Sequence, residues 1–471
     1  MIRRLLLAVL GCLLLAEATA YAVLLPSHAA RHNLRLEIAS WAVFLLAVLV
    51  LRRVRLAPRR MGALIIGAGI VFQVIAVLTP PTTSDDDFRY IWDAKVQLSG
   101  TDPYRYPPAA PQLDHLRDRF VLYPSWSGCP WPIPPGCSAV NRPSVRTIYP
   151  PVAEGTFTAI RLLSFGGHGN HLPLQLAAAL GSIAVAWLLY RRRRERDRPL
   201  WTVALWAWCP ITVIDYGNNA HIDWLAVLFA VLALGAQSSR RPARAGLLAG
   251  AAIATKLYPA LILPSIVKRR PMVVVGVAVA TVAVSYVPHV LAVGAKVIGY
   301  LPGYLREEHY TSGQRFLLLQ PALPSQAATA AAVLALAAVA AWVVRRSDPD
   351  RPEDTAVVMA GAAILVTTPS YGWYCGLLLA LIALSGEVAW LPVTLAPGLW
   401  YLVRGDVDAP VWVGRVIFAA ALGLTLAGLS VRRAGREGDR RGVRLAGRVG
   451  PRDLDLVAGV VSADDGRQAA R

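Results

Sequence analysis

Three consecutive carboxylates are the residues of this chain best suited to chemistry. Asp85, Asp86 and Asp87 follow Pro80-Pro81 and begin a polar and aromatic segment that continues to Lys95. Helix capping accounts for one or two acids, because acidic side chains are favoured at the N-cap and in the first turn. Three adjacent acids beside an apolar segment are more typical of a functional site. We therefore predict that the general base is one of these residues, with Asp86, Asp85 and Asp87 as candidates.

Helical spacing adds three side chains to this cluster. Asp86, Arg89, Tyr90 and Asp93 stand at i, i+3, i+4 and i+7, which places them on one face of a helix. The guanidinium of Arg89 is expected to keep a nearby carboxylate ionised and oriented, as a general base requires. Arg89, Tyr90 and Asp93 are therefore predicted substrate-binding residues.

Two polar segments between apolar runs are further candidates. His221 and Asp223 could hydrogen-bond sugar hydroxyls or hold a metal, whereas the ordinary explanation is a polar loop with a cap at Asn219. Trp373 and Tyr374 are predicted to contact substrate, and the alternative for them is an interfacial aromatic belt.

Cations and aromatics supply a third group of candidates. Lys256 lies within an apolar stretch, where it either pairs with a carboxylate or meets a lipid phosphate. His309, Tyr310 and Arg315 belong to one predicted outer loop, and arginine with aromatic rings suits a phosphate beside a sugar or lipid. The alternative is that this loop is exposed to solvent and binds nothing.

The composition of the chain indicates that membrane-spanning helices position these residues. The chain has 471 residues, of which 55% are hydrophobic and 16% are charged, against about 25% charged residues in soluble domains. Apolar runs of roughly 17–25 residues recur, which is the pattern of membrane-spanning helices. The net charge of +19 comes from basic clusters between these runs, so the positive-inside rule explains it better than nucleic-acid binding.

The arginine clusters predict a topology. We expect an all-α integral membrane protein with roughly twelve transmembrane helices and two partial ones. The expected spans are 5–25, 37–51, 61–80, 172–190, 199–215, 220–237, 271–292, 326–344, 355–370, 374–386, 388–402 and 409–430; the partial helices are 150–165 and a broken hairpin over 244–267. The N-terminus, Met1 to Ala20, is interpreted as an uncleaved first helix and not as a signal peptide.

The domain organisation follows from this topology. Residues 1–430 form the membrane domain, residues 81–150 form a large extracytoplasmic loop that carries the acids, and residues 431–471 form a flexible cytoplasmic tail. Four polar segments then share the outer face: Asp85 to Asp93, Asp215 to Asp223, Arg306 to Arg315, and Ser370 to Tyr374. This coincidence predicts a site at the outer face of the plasma membrane.

The large loop also holds a cysteine pair. Cys129 and Cys137 could form a disulfide if the loop is outside the cytoplasm, and two free thiols are the alternative. A zinc site is disfavoured because His115 is the only histidine close to these cysteines in the sequence. We predict no metal ligand, no certain cofactor and no nucleic-acid partner, and we leave a divalent cation open.

The chain lacks the common motifs for binding nucleotides, which bears on the kind of activated substrate it could use. The chain has no Walker loop, dinucleotide fingerprint or HExxH pattern, and its cytoplasmic loops are short. A transferase acting at the outer face would need an activated sugar delivered through the lipid bilayer. A lipid-linked sugar phosphate meets that need.

The same residues resemble a known family. The chain is similar to bacterial polyprenol-phosphate-mannose-dependent mannosyltransferases of the GT-C superfamily, and its spacing also resembles glycosyltransferase family 87. The segments that carry the resemblance are Ser84-Asp85-Asp86-x-x-Arg89-Tyr90-x-Trp92-Asp93, Gly100-Thr101-Asp102-Pro103-Tyr104-Arg105-Tyr106-Pro107-Pro108, Tyr149-Pro150-Pro151, Ala220-His221-x-Asp223, Thr255-Lys256-x-x-Pro259 and Pro369-x-x-x-Trp373-Tyr374.

The resemblance implies a GT-C-like bundle and an inverting transfer. A polyprenyl-phosphate sugar would be the donor, a lipid-linked or cell-envelope glycan the acceptor, and an acid of the first outer loop the base, which by spacing is Asp86. It also adds Tyr104 to the substrate-binding candidates. Asp87 stands where an aliphatic residue is common, so which acid is the base stays open. A transporter or flippase of lipid-linked sugars is the alternative, because broken helices and charged residues within the membrane also fit transporters.

Overall fold

The protein is a helical bundle. The computed structural model describes residues 2–25, 34–117, 140–164, 170–407 and 409–446, and these residues contain helices and no strand. The helices in the first half are Ile2–Leu24 (α1), Leu34–Arg53 (α2), Pro58–Val77 (α3), Asp86–Leu98 (α4), Pro151–Leu162 (α5), Leu172–Glu195 (α6), Ala204–Ala207 (α7), Asp223–Ser238 (α8) and Pro242–Ile253 (α9).

The second half continues in the same way. Its helices are Leu263–Ile266 (α10), Pro271–Val293 (α11), Leu301–Glu307 (α12), Ser325–Arg346 (α13), Glu353–Thr367 (α14), Gly376–Ser385 (α15), Leu391–Val407 (α16) and Val411–Ala446 (α17). Helix α17 extends past residue 430, so the beginning of the predicted tail is helical.

Six helical segments of the described residues are long and apolar enough to cross a membrane. They are Ile2–Leu24, Pro58–Val77, Leu172–Glu195, Pro271–Glu307, Ser325–Arg346 and Val411–Ala434. A seventh results if the bent pair Ile211–Asn218 and Asp223–Ser238 is one span. Helices α14, α15 and α16 have 15, 10 and 17 residues, which is short for a hydrocarbon core of about 30 Å. Twelve spans therefore stays a prediction.

Two segments are interrupted where proline removes a backbone donor. Residues 199–215, expected as one span, instead form a 3₁₀ turn, α7 and a π-helix over Ile211–Asn218 that meets α8 at 118°. Pro210 begins the π-helix because it has no N–H to give to a preceding turn. Residues 244–267 are broken as predicted, since α9 ends at Ile253 and a 3₁₀ turn follows at Tyr258–Ile262.

The bundle has two chemically different ends. Helix α6 has 24 residues, so its ends are about 36 Å apart. His171 precedes its first turn and contacts Asp87, whereas its last turn carries the arginine run 191–194. Helices α3 and α13 show the same separation of charge. In α3, Arg59 and Arg60 stand at the end remote from α4. In α13, Arg345 and Arg346 stand at the end remote from Tyr310. The acidic segment thus lies at the end of the bundle opposite the arginine run 191–194.

Candidate active site

The polar segments meet around a cavity of about 740 Å³ at the acidic end. Seven of the predicted site residues line it: Asp85, Asp86, Arg89, Lys256, Tyr310, Trp373 and Tyr374. They come from α4, from the break after α9, from the loop after α12 and from the 3₁₀ turn before α15. Three of the four predicted polar segments therefore line the cavity, whereas the Asp215 to Asp223 segment contributes no lining residue.

Several contacts converge on the carboxylate of Asp86. It begins α4, and its side chain is 20% exposed. Its Oδ1 accepts a hydrogen bond from Asn141 Nδ2 at 2.6 Å, and its Oδ2 accepts one from the Tyr149 hydroxyl at 3.3 Å. His221 Nδ1 lies 3.5 Å from the same Oδ2. These contacts fix the carboxylate in place while part of it still faces the cavity.

Asp85 and Asp87 differ from Asp86 although all three are aspartates. Asp85 occupies the N-cap of α4, but its side chain makes no capping bond; Ser84 Oγ accepts the Asp86 N–H at 3.3 Å instead. Asp85 Oδ1 shares the Asn141 amide at 3.0 Å. Asp87 is fully buried, contacts His171 Nδ1 and does not line the cavity. Asp87 is therefore separated from the space in which a substrate would react.

Arg89 has a different partner from the one expected. Its Nε donates to both Asp93 carboxylate oxygens at 3.1 Å, and its Nη2 donates to the Val145 carbonyl at 3.1 Å. Arg89 thus orients a carboxylate on its own helix face, but that carboxylate is Asp93 and not the cavity-lining Asp86. Arg89 lines the cavity, whereas the Asp93 carboxylate is buried behind it.

A second carboxylate lies beside Asp93. Glu154 of α5 is fully buried and accepts hydrogen bonds from Thr147 Oγ1 at 2.6 Å and from Gln97 Nε2 at 2.9 Å. Burial raises the pKa of Asp93, and burial together with the negative charge of Asp93 raises the pKa of Glu154. Because one guanidinium faces two carboxylates, the cluster favours one retained proton.

Lys256 is one of the cations that line the cavity, and its side chain is largely buried. It sits in the break after α9, and its Nζ donates to Asp223 Oδ2 at 2.8 Å. The ammonium also stands 5.5 Å from the ring centroid of Tyr374 and 5.9 Å from that of Tyr149. The structure thus gives Lys256 a carboxylate partner and also a place on the cavity surface.

Several predicted binding residues instead support those that line the cavity. His221 is fully buried and stacks on Trp373 with ring centroids 4.1 Å apart. Tyr90 is buried with its hydroxyl 3.5 Å from His221 Nδ1. Tyr104 donates its hydroxyl to the Tyr149 carbonyl at 2.5 Å. Asp223 is buried against Lys256. None of these four reaches the cavity surface.

Of the three residues predicted in the loop after α12, His309, Tyr310 and Arg315, Tyr310 alone lines the cavity. Arg315 is buried, donating from Nη1 to Glu308 Oε2 at 2.6 Å and to Ser370 Oγ at 3.1 Å. It ties the loop to the segment before Trp373 and does not line the cavity. His309 is exposed, and it too lies away from the cavity lining. The predicted phosphate contact by Arg315 and His309 is therefore not supported by their placement.

The cavity lining includes polar side chains that the sequence analysis did not single out, among them Asn141, Arg142 and Arg146. Arg142 Nε donates to Glu307 Oε1 at 2.8 Å, and this interaction raises the pKa of the guanidinium. The stretch from Val140 to Arg146 has no helical or strand period, so its side chains could not be placed on a face. Tyr149, which was noticed as part of a Tyr-Pro-Pro motif, supplies a hydroxyl to the site.

Two further predictions concern a disulfide and a metal ion. Cys129 and Cys137 lie outside the described residues. Within the described residues, no group of three or more histidine, cysteine, aspartate or glutamate side chains has a geometry that could hold a metal ion.

Comparison with known proteins gives one family. Residues 147–369 match the family model of glycosyltransferase family 87. The matched segment contains Tyr149, His221 and Lys256, and it begins after α4, so the acids at Asp85 and Asp86 lie before it. No curated protein matches the chain.

Proposed function

We propose that this protein, whose residues 147–369 match the family model of glycosyltransferase family 87, is a membrane glycosyltransferase. It transfers a sugar, with mannose as the first candidate, from a polyprenyl-phosphate donor. The acceptor is a hydroxyl of a lipid-linked or cell-envelope glycan. The observation that carries the proposal is a cavity that exposes a fixed carboxylate, Asp86, and a cation, Lys256, to the same space.

The cavity suits such a donor in size and polarity. Its volume of about 740 Å³ lies within the roughly 300–1,000 Å³ that is usual for small-molecule sites. Cations lie on its polar part at Lys256, Arg142 and Arg146, and they favour a phosphate. An apolar part suits the first units of a prenyl chain and is lined by Leu257, Leu261, Leu301, Leu336, Ile364, Leu377 and Leu378.

Asp86 would act as general base on the acceptor. Its carboxylate takes the proton of the acceptor hydroxyl, and the oxygen attacks the anomeric carbon from the face opposite the phosphate. The bond between that carbon and the phosphate oxygen breaks, and polyprenyl phosphate leaves with both electrons. The configuration is inverted. Lys256 is placed to stabilise the negative charge of the leaving phosphate, because an ammonium close to an anion is strongly favourable in a partly dry site.

The site would face the outside of the plasma membrane. The arginine-rich end of the bundle is assigned to the cytoplasm by the positive-inside rule, and the acidic end is the opposite one. An outer site accords with a donor that is embedded in the lipid bilayer and carries its own activated sugar.

Paired variants test the base. We expect Asp86→Asn to lower kcat by about 10²-fold or more, which is the range of a lost general base, with little change in donor KM. Asp85→Asn is the matched control, since Asp85 shares the Asn141 amide but lacks the Tyr149 contact. The measurement is transfer from labelled polyprenyl-phosphate-mannose in membranes that contain the full chain. Unchanged transfer by Asp86→Asn would remove the base assignment.

The same assay tests the donor. If the wild-type protein transfers nothing from any prenyl-phosphate sugar, the donor proposal is wrong. If it instead moves labelled lipid-linked sugar between the leaflets of a vesicle without transfer, the protein is a flippase.

A further inference from the structure

A second cavity lies at the arginine-rich end of the bundle. It measures about 250 Å³ and is formed between the last turns of α6 and α8 and the start of α9. Four arginines and one glutamate line it: Arg191, Arg192, Arg241, Arg244 and Glu195. It contains none of the residues of the active-site cavity and is separated from them by the length of α6.

The arginines of the run 191–194 have distinct environments. Arg193 is used structurally, because it donates to the Pro199 carbonyl and, at 3.0 Å, to the Leu384 carbonyl. Arg191 pairs with Glu195 at 3.2 Å. Among the described residues, Arg192 Nε is buried and has no hydrogen-bond partner. An unpaired buried guanidinium N–H is costly, so Arg192 is the member of the run best suited to an external anion.

The backbone opposite Arg192 accommodates its guanidinium. Gly235 of α8 lies so close that a Cβ at this position would overlap Arg192 Nη1. Arg241 and Arg244 add two more cations from α9, and in the described part of the chain neither has a carboxylate partner. The charge of the cavity is therefore net positive, with one pairing acid against four guanidinium groups.

The same cavity has an apolar side. Leu188, Val231 and Leu232 line it beside the arginines. Trp187, one turn before Arg191, is 50% exposed and has its ring 5.5 Å from that of Tyr190. Exposed aromatics at this level of a spanning helix are typical of the membrane–water interface. A ligand here would carry both a negative charge and hydrocarbon.

We propose that this cavity is an anion-binding site for a phosphate group, and that the phosphate is the headgroup of an anionic phospholipid. Arg192, Arg241 and Arg244 contact the phosphate, and Leu188, Val231 and Leu232 contact the adjoining glycerol and acyl carbons. Basic pockets between transmembrane helices bind anionic headgroups in this way. A free phosphate ion shares the charge but not the apolar part, which makes the two sources separable by experiment.

Lipid retention tests the proposal. The purified full chain in detergent is titrated with phosphatidylglycerol or phosphatidylcholine, and bound lipid is counted by native mass spectrometry. We expect retention of phosphatidylglycerol and about tenfold weaker binding by the double variant Arg241→Gln/Arg244→Gln, since each guanidinium near a headgroup contributes substantially. Arg59→Gln/Arg60→Gln is the matched control, because these two arginines are exposed at the same end of the bundle but do not line the cavity.

A competition arm identifies the source of the phosphate. If millimolar inorganic phosphate leaves the bound phosphatidylglycerol in place, the site requires the lipid; if inorganic phosphate alone displaces it and binds with similar affinity, the headgroup assignment is overturned in favour of a free anion. If both double variants lost phosphatidylglycerol binding equally, the lipid would be held by general surface charge, and the proposal of a site in this cavity would be wrong. Arg192→Gln gives a second reading, since it removes the buried cation and is expected to weaken lipid binding while leaving the Arg193 contacts intact.

Discussion

At the scale of single residues, chemistry is decided by contacts that neighbours in sequence do not share. Asp85, Asp86 and Asp87 are the same residue type, but Asp86 alone receives both the Asn141 amide and the Tyr149 hydroxyl. Asp87 points away from the cavity and is buried against His171. The three acids are thus a cap-position acid, a candidate base and a buried structural acid.

Asp87 is therefore expected to affect stability more than turnover. Asp87→Asn removes a buried carboxylate beside His171, and one Asp87 oxygen already lacks a hydrogen-bond partner among the described residues. We predict a loss of about 1–3 kcal/mol in the free energy of unfolding and a kcat close to wild type for the folded protein. Thermal unfolding in detergent and single-substrate kinetics measure the two effects. A large fall in kcat at unchanged stability would instead give Asp87 a part in the chemistry.

The sequence could identify this cluster but not divide its roles. Asp86, Lys256 and Trp373 were predicted as site residues and line the cavity, and the role of Asp86 as the base stays a prediction. Helical spacing put Arg89 on one face with two carboxylates, Asp86 and Asp93, and it could not decide that Asp93 is the one that Arg89 pairs with. The partners of Asp86 come from residues 141 and 149, and nothing local predicts such long-range contacts.

At the scale of elements, α4 and α5 are joined by a buried polar cluster. Arg89 and Asp93 come from α4, and Glu154 comes from α5. Arg89 also holds the Val145 carbonyl, and Thr147 donates to Glu154. The segment between these two residues carries Arg146 to the cavity and leads to Tyr149, so the cluster positions one side of the candidate site.

This cluster predicts a specific pH dependence of stability. The pKa of Glu154 is raised in the folded protein by burial and by Asp93. A raised pKa means that the folded state retains the proton, so this contribution to stability is complete below the unfolded pKa of about 4.3 and is lost as the pH rises through the folded value. We expect Glu154→Gln to remove this alkaline loss, because the amide keeps an N–H donor toward Asp93. Thermal unfolding across a pH series measures it.

A matched control exists on the opposite end of the bundle. Glu195 has a side chain that is 60% exposed, so Glu195→Gln should leave the pH profile of unfolding unchanged. An identical slope for Glu154→Gln and the wild type would show that Glu154 is ionised in the folded state and that the proton is held elsewhere.

Element boundaries were predictable where proline or arginine marks them. Pro58, Pro151 and Pro271 begin helices close to the predicted positions, and Lys256 does lie at a break. The π-helix at Ile211–Asn218 was not foreseen, since apolar residues in that stretch fit a straight helix equally well. Helices α14 and α15 are short and largely buried inside the bundle, so their apolar composition alone does not decide whether they cross the membrane.

At the scale of the whole molecule, charge is segregated along the bundle. Ion pairs and hydrogen bonds join helix ends at the arginine-rich side: Arg196 with Glu353, Arg269 with Asp350, and Lys268 with the Ser347 carbonyl. The opposite end carries the active-site cavity. This polarity follows from the distribution of basic residues in the sequence, and the positive-inside rule predicts from it that the arginine-rich end faces the cytoplasm.

Cysteine accessibility tests this orientation. Ser312 is exposed beside Gly313, which packs against Ser325 at the start of α13, and Asp348 is exposed just after Arg346 at its end. Since α13 has 22 residues, the two positions are about 33 Å apart. On a background without the five native cysteines, Ser312→Cys should react with a membrane-impermeant maleimide in intact cells. Asp348→Cys should react only after permeabilisation, and the reversed pattern would place the active-site cavity in the cytoplasm and exclude the outer-face proposal.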